Sequence, residues 1–157
     1  MNRGSQNKGG VIRIEAFADH DAVADAASKA ITAALREADR PSFVATGGTT
    51  PGPTYDRLAK APLDWGRVTV TLTDERWVDA ASPESNERLI RQHLLVGPAA
   101  AAHFLPLKGA GASVNEDAAV ADEALRRLEF FDAVLLGMGA DGHIGSGRPT
   151  RAGHPIR

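Results

Sequence analysis

The sequence predicts an α/β fold with a doubly wound, mostly parallel sheet and helices on both faces, and three observations support this. Short β-prone runs alternate with segments of helical periodicity, as in sheets covered on both sides. The run AVLLG at 133–137 is apolar throughout, which is typical of a strand buried on both faces. The 157 residues are also the size of one domain. Function is therefore predicted in the loops at the carboxyl ends of the strands.

The first half of the chain begins with a polar, glycine-rich lead at 1–10, which is predicted to be disordered. VIRI at 11–14 is predicted as a short strand. Between Asp19 and Ala38, apolar side chains at three- and four-residue steps predict a helix. The predicted core face of that helix is Val23, Ala27, Ala30, Ala34 and Ala38. FVAT at 43–46 is predicted as a strand, and 53–60 has room for a short helix.

The second half repeats the alternation. VTVTLT at 68–73 alternates apolar residues with threonine and is predicted as a strand. Ser82 followed by Pro83 predicts a helix start that continues through NERLIRQHLL. Ser113 with Glu116 resembles a capping box, and one apolar face follows it, formed by Val114, Ala118, Ala121, Leu125 and Leu128. This Rossmann-like pattern ends at Ile144, and residues 145–157 form an atypical tail without periodicity.

Composition excludes several classes of function. The net charge is −2, far from the basic balance typical of nucleic-acid binding. The chain has no cysteine, which removes disulfides and thiolate chemistry. No apolar run reaches the roughly 18 residues of a membrane span, and the first residues do not resemble a secretory leader. We expect a cytoplasmic protein with no nucleic-acid or membrane partner. The sequence leaves its oligomeric state open.

Two loops combine glycine or charge with a strand end. In TGGTTPGP, Gly47 and Gly48 let the backbone approach a ligand, and Thr49 and Thr50 add hydroxyl donors, a combination suited to phosphate. A tight structural turn would also explain these glycines. In TDERW, Asp74 could handle protons and Arg76 could pair with an anion. A salt-bridged turn is the alternative.

The third loop, in LLGMGADGHIGSG, has glycines at the spacing of a dinucleotide fingerprint. Only fifteen residues follow Gly142, so the acidic residue expected about 20 positions later cannot exist, and the cofactor interpretation is disfavoured. Asp141 and His143 instead follow a predicted strand on a glycine-rich loop. An imidazole can accept a proton from water near neutral pH, and a nearby carboxylate can orient it.

Together the segments TGGTTP, LTDERWVDAASPESNERLIRQHLL and DAVLLGMGADGHI resemble the 6-phosphogluconolactonase family, within the group that includes glucosamine-6-phosphate deaminases. Arg76 resembles the lactonase branch, since the deaminases usually have tyrosine there. The resemblance implies cofactor-free and metal-free hydrolysis of 6-phosphogluconolactone in the oxidative pentose phosphate pathway. By that resemblance Gly47, Gly48, Thr49 and Thr50 would hold the sugar phosphate, Arg76 would bind the anion or steady the oxyanion, His143 would be the general base, and Asp141 and Asp74 would orient and tune the site.

The resemblance covers 11–144, which would be an incomplete lactonase domain. After DGH the family continues with an SLFP-like segment and a further third of the domain. Here GSGRPTRAGHPIR follows, so we expect a truncated or frame-shifted gene after Ile144 and a fold without its C-terminal part. Apolar surface of AVLLG would then face water. Two alternatives remain: a deaminase or isomerase of amino-sugar phosphates using Asp74 and His143, and an inactive fragment that binds sugar phosphates.

Overall fold

The computed structural model of the protein describes residues 12–139 and 141–144. The predicted disordered lead at 1–10 and the atypical tail at 145–157 lie outside these residues. The principal elements are α1 (His20–Glu37), β1 (Ser42–Ala45), α2 (Gly52–Leu58), β2 (Thr69–Leu72), α3 (Asn86–His93), β3 (His103–Phe104), α4 (Val114–Leu125) and β4 (Ala133–Val134). Two short 3-10 helices, Trp65–Arg67 and Gly97–Ala101, complete the described elements.

The four strands form a sheet in the order β3-β2-β1-β4, and all three neighbouring pairs are parallel. The strand order runs outward from β1 to β3 and then reverses to place β4 on the other side of β1. Because parallel crossovers are almost always right-handed, this reversal puts the connecting helices on opposite faces. The α/β prediction is thus confirmed. The point of reversal, between β1 and β4, is where ligands bind in sheets of this kind.

Helix α1 is confirmed, but its predicted core face is wrong. Asp19 caps the helix by accepting a hydrogen bond from the Ala22 N–H at 2.8 Å. The buried residues are Ala24, Ser28, Ile31 and Leu35, whereas Val23 is 44% exposed. Small alanines occur at helical spacing on more than one side of this segment. The larger apolar area of Ile31 and Leu35 decides which side faces the sheet.

One strand prediction fails, and another holds for the strand but not for its burial. Residues 12–14 of VIRI form no strand, and Ile12 and Ile14 are almost fully exposed. The prediction that 133–137 is buried on both faces is also wrong, because β4 lies at the edge of the described sheet. Val134 and Leu136 are about half exposed. This is the apolar exposure expected of a sheet without a neighbour beside this strand.

The core lies between the sheet and the helices that flank it. Fully buried side chains include Phe43, Tyr55, Leu58, Val70 and Ile90. In α4, the predicted cap is present, since Ser113 Oγ accepts from the Glu116 N–H at 3.3 Å. Its predicted apolar face is only partly right: Ala121 is buried, whereas Val114 and Ala118 are exposed. Among the described residues, no helix is both long and apolar enough to span a bilayer.

Candidate active site

The three loops singled out in the sequence meet in one cleft of about 250 Å³ at the carboxyl ends of β1, β2 and β4. The cleft lies at the point where the strand order reverses. Seven of the eight predicted site residues line it, and Asp141, the eighth, is hydrogen-bonded to one of them, His143. The seven are Gly47, Gly48, Thr49, Thr50, Asp74, Arg76 and His143.

A buried tyrosine fixes the start of the glycine-threonine loop. The Tyr55 hydroxyl accepts from the Thr46 N–H at 2.9 Å and donates to the Thr46 carbonyl at 2.6 Å. Both main-chain groups at the end of β1 are therefore satisfied by one side chain. Burial raises the pKa of Tyr55, so the hydroxyl stays protonated and keeps this donor. Beyond Thr46, the chain turns through Gly48 at a φ of +95°, a conformation that favours glycine.

The loop after β2 holds Asp74 and Arg76 at the opposite wall of the cleft. Asp74 Oδ1 accepts from the Thr73 hydroxyl at 2.8 Å. The Arg76 guanidinium donates through Nη1 to the Glu84 carbonyl at 3.0 Å and to Asn86 Oδ1 at 2.6 Å. The arginine, although exposed to solvent, is thus tied to the segment that leads into α3.

Glu75, which lies between Asp74 and Arg76 in the sequence, caps the start of helix α3. Its carboxylate accepts from the main-chain N–H groups of Asn86 and Glu87, each at 2.8 Å, and from Ser85 Oγ at 3.1 Å. The two N–H groups lie at the amino end of α3 and have no partner inside the helix, and Ser85 is its N-cap, since Ser85 Oγ accepts from the Arg88 N–H at 3.2 Å. The helix therefore begins at Asn86, and the predicted start at Ser82–Pro83 is wrong. Sequence analysis did not use the fact that a carboxylate from a distant loop can cap a helix.

Asn86 is a site residue that sequence analysis missed. Its side chain is 2% exposed, lines the cleft, and donates from Nδ2 to the Asp74 carbonyl at 2.8 Å. The space beside it is so tight that a Cβ on Gly47 would lie 2.6 Å from Nδ2 and closer still to the rest of the amide. Gly47 is thus required by packing against Asn86. The signal is the SNERL segment, which the sequence analysis places in a helix and in the family resemblance without giving Asn86 a role.

The loop after β4 is a short hairpin that presents Asp141 and His143. Met138 and Ile144 form an antiparallel bridge, and the Gly139 N–H donates to the His143 carbonyl at 2.9 Å. Gly142 has a φ of +83° and donates to the Gly139 carbonyl at 2.9 Å. This turn brings the imidazole over Gly139, where a Cβ would collide with the ring.

The Asp141 carboxylate engages the imidazole through a hydrogen bond between Oδ1 and His143 Nδ1. It also accepts from the His143 main-chain N–H at 3.3 Å. These bonds, the side-chain one first, lower the pKa of Asp141, so that it is ionised at neutral pH. An ionised acceptor at Nδ1 keeps the proton on that nitrogen and leaves Nε2 as the basic one. The pair can therefore take a proton from a water molecule on the Nε2 side.

Over 12–139 and 141–144, no three His, Asp or Glu side chains are grouped so that they could ligate an ion. Acid-base chemistry and anion binding are what the arrangement offers.

Comparison with known proteins agrees with this geometry. The sequence matches the family of glucosamine-6-phosphate isomerases/6-phosphogluconolactonase over residues 16–153. The chain belongs to this family. Membership confirms the resemblance seen in the three loop motifs, whereas the division of the chain at 10 and 144 stays a prediction.

Within the family, the chain is similar to proteins named 6-phosphogluconolactonase. It is 48% identical to that of Caulobacter vibrioides over 139 residues, covering 86% of this chain and 60% of the relative. It is 43% identical to that of Pseudomonas aeruginosa, covering 78% and 52%. The crystal structure of a 6-phosphogluconolactonase from Shewanella baltica superposes with a TM-score of 0.79 at 39% identity, covering 83% and 58%. The chain thus spans between about half and three fifths of these relatives.

Proposed function

We propose that this chain hydrolyses 6-phospho-D-glucono-1,5-lactone to 6-phosphogluconate, the lactonase step of the oxidative pentose phosphate pathway. One observation carries the proposal: a glycine-threonine loop suited to phosphate and the Asp141–His143 pair line or border the same cleft. The names of the relatives support the lactonase branch, as does Arg76, which stands where deaminases usually have tyrosine. The substrate is a phosphorylated sugar lactone.

The substrate's anionic end would be held by the loop after β1. Gly47 and Gly48 let the backbone approach the phosphate, and Thr49 and Thr50 supply hydroxyl donors in the exposed part of the cleft. Arg76 adds a positive charge on the facing wall, where it would bind the anion or steady the developing oxyanion. This places the sugar ring between the phosphate loop and the imidazole.

His143 acts as general base in this proposal. Nε2 removes a proton from water as the water oxygen attacks the lactone carbonyl, and the carbonyl oxygen becomes an oxyanion. When the oxyanion collapses, the bond to the ring oxygen breaks, and the imidazolium returns the proton to that oxygen. Asp141 stabilises the imidazolium, and Asp74 tunes the site. A positioned base of this kind supplies about 10² to 10⁴-fold.

Lactone hydrolysis, corrected for the spontaneous rate, tests the proposal. His143→Ala should lose nearly all of the enzyme-dependent rate, whereas His20→Ala, an exposed histidine at the start of α1, should keep it. An unchanged rate in His143→Ala would remove this residue from the mechanism. Release of ammonia from glucosamine 6-phosphate would instead identify a deaminase. Stabilisation by 6-phosphogluconate without turnover would identify a binding fragment.

The proposal includes a cytoplasmic location, which the absence of cysteine favours because no disulfide calls for an oxidising compartment. Fractionation of the source cells, with the protein detected in each fraction, tests this. Recovery mainly from a membrane or extracellular fraction would contradict it.

A further inference from the structure

We propose that Asn86 is a positioning residue, which fixes the Arg76 guanidinium and thereby sets the geometry of anion binding before the ligand arrives. This deepens the proposed function, on which it rests for the identity of the anion.

The amide of Asn86 is held in one orientation. Its Oδ1 accepts from Arg76 Nη1 at 2.6 Å, and its Nδ2 donates to the Asp74 carbonyl at 2.8 Å. Exchanging the amide oxygen and nitrogen would set donor against donor and acceptor against acceptor, so both bonds would be lost. The side chain is 2% exposed, and water cannot readily replace these partners.

These bonds fix the orientation of the Arg76 guanidinium. An exposed arginine has many rotamers, and ordering them on ligand binding lowers affinity. Here Nη1 is bound on two sides, by Asn86 and by the Glu84 carbonyl. An anion would then meet Nε and Nη2, which form the bidentate edge of a guanidinium. The amide therefore selects which edge of Arg76 is presented to a ligand.

Asn86 is itself anchored away from the cleft and links two walls of it. The Glu75 carboxylate binds its main-chain N–H at 2.8 Å, so the backbone that carries the amide is fixed. On the other side the amide packs against Gly47, at a distance that leaves no room for a Cβ. The glycine-threonine loop and Arg76 are thus set against the same small group.

A double-mutant cycle on 6-phosphogluconate binding, measured by calorimetry, tests the proposal. Arg76→Ala should weaken binding by about 10²-fold or more, the effect of losing two hydrogen bonds to a charged group, and Asn86→Ala by about tenfold, because it leaves the arginine present but no longer oriented. The double variant should bind no more weakly than Arg76→Ala, because Asn86 acts through the arginine. Losses that add, or an Asn86→Ala variant that binds like wild type, would overturn the proposal. In lactone hydrolysis both single variants should change the same parameter, KM or kcat.

A matched control and a ligand-independent readout separate positioning from general damage. Glu87→Gln alters the neighbouring buried residue of α3, which pairs with Arg91, and should leave binding unchanged. In the ligand-free protein, ¹⁵N spectra should show distinct Nη1 and Nη2 signals for Arg76. These should merge in Asn86→Ala and remain distinct in Asn86→Asp, which keeps an oxygen beside the arginine. Merged signals in wild type would refute the proposal even if the lactonase proposal holds.

If wild type binds 6-phosphogluconate but does not hydrolyse the lactone, the proposed function fails while the binding cycle still tests Asn86. If wild type hydrolyses the lactone and the cycle is additive, the function stands and the positioning proposal fails. The spectra decide the second proposal if 6-phosphogluconate does not bind.

Discussion

Gly139→Ala should displace the proposed catalytic base while leaving the fold intact. The hairpin after β4 folds the His143 ring back over Gly139, and a Cβ there would lie under 3.0 Å from ring atoms and 2.9 Å from Asp141 Oδ1. Separations this short do not occur for real Cβ atoms. The imidazole, which is about half exposed, is the group that can move. We therefore expect it to swing away from the cleft together with its carboxylate partner.

The size of the effect follows from the required movement. Relieving the overlap needs a shift of the ring by about 1 Å, and a misplacement of that size can lower a rate by about 10²-fold. The rate should fall by no more than about 10⁴-fold, which is the largest contribution expected of a general base. The stability should change little, because the loop is exposed and alanine restricts the unfolded chain more than glycine does, which favours folding by about 0.4 to 1 kcal/mol.

The assay compares lactone hydrolysis and urea unfolding in Gly139→Ala and in Gly137→Ala. Gly137 belongs to the same loop and lines the same cleft, but a Cβ there meets nothing within 4 Å. Its variant should keep the wild-type rate within about threefold, which corresponds to less than about 0.7 kcal/mol. If Gly139→Ala keeps its rate as well, or if both variants lose it equally, the reasoning from the position of the imidazole is refuted.

Three further predictions concern the supports of the site. Tyr55→Phe removes a hydroxyl that hydrogen-bonds both main-chain groups of Thr46 at the end of β1. The free energy of unfolding in urea should fall by about 2 kcal/mol, and the KM for the lactone should rise. Asp117 has a lowered pKa, mainly through its bond from Trp77. Wild type should have a larger free energy of unfolding than Asp117→Asn. The difference should be full above the ordinary carboxyl pKa and should shrink below about pH 4, and unfolding midpoints measured across pH would show this. Asp132→Ala removes the carboxylate that accepts from Ser42 and helps to hold β4 beside β1. It should lower kcat more than it weakens 6-phosphogluconate binding, and an equal effect on both would contradict this.

The sequence predicted the site better than it predicted the packing around it. Loops at strand ends carry their chemistry in local motifs, and in a parallel sheet those ends meet at one edge whatever the details of packing. This is why Thr49, Arg76 and His143 could be placed together. Asn86 could not be found this way, because its role depends on contacts with residues ten or more positions away along the chain.

Errors in the fold have two physical causes. The start of α3 depends on Ser85, its N-cap, and on Glu75, a carboxylate outside the helix that local rules for Ser and Pro do not include. The core side of α1 was chosen from the spacing of alanines, whereas burial follows the larger Ile31 and Leu35. The burial of β4 depends on which strands flank it. For α3 and β4 a deciding partner lies outside the element itself, so neither propensity nor periodicity of that element contains it. The deciding residues of α1 lie in the helix itself, and side-chain size separates them from the alanines.

The strand order also divides the site into two parts with different supports. The groups proposed to bind the anion follow β1 and β2, which pair over four residues and are locked by buried side chains such as Tyr55 and Asn86. The groups proposed for proton transfer, Asp141 and His143, follow β4, which pairs with β1 over only two residues. At its amino end, the Asp132 carboxylate accepts from the Ser42 N–H at 2.8 Å and from Ser42 Oγ at 2.9 Å. Changes there, at the far end of the strand from the cleft, should therefore move the imidazole relative to an anion site that itself stays in place. The rate of reaction and the affinity for the anion are separable in this fold because they depend on different strands.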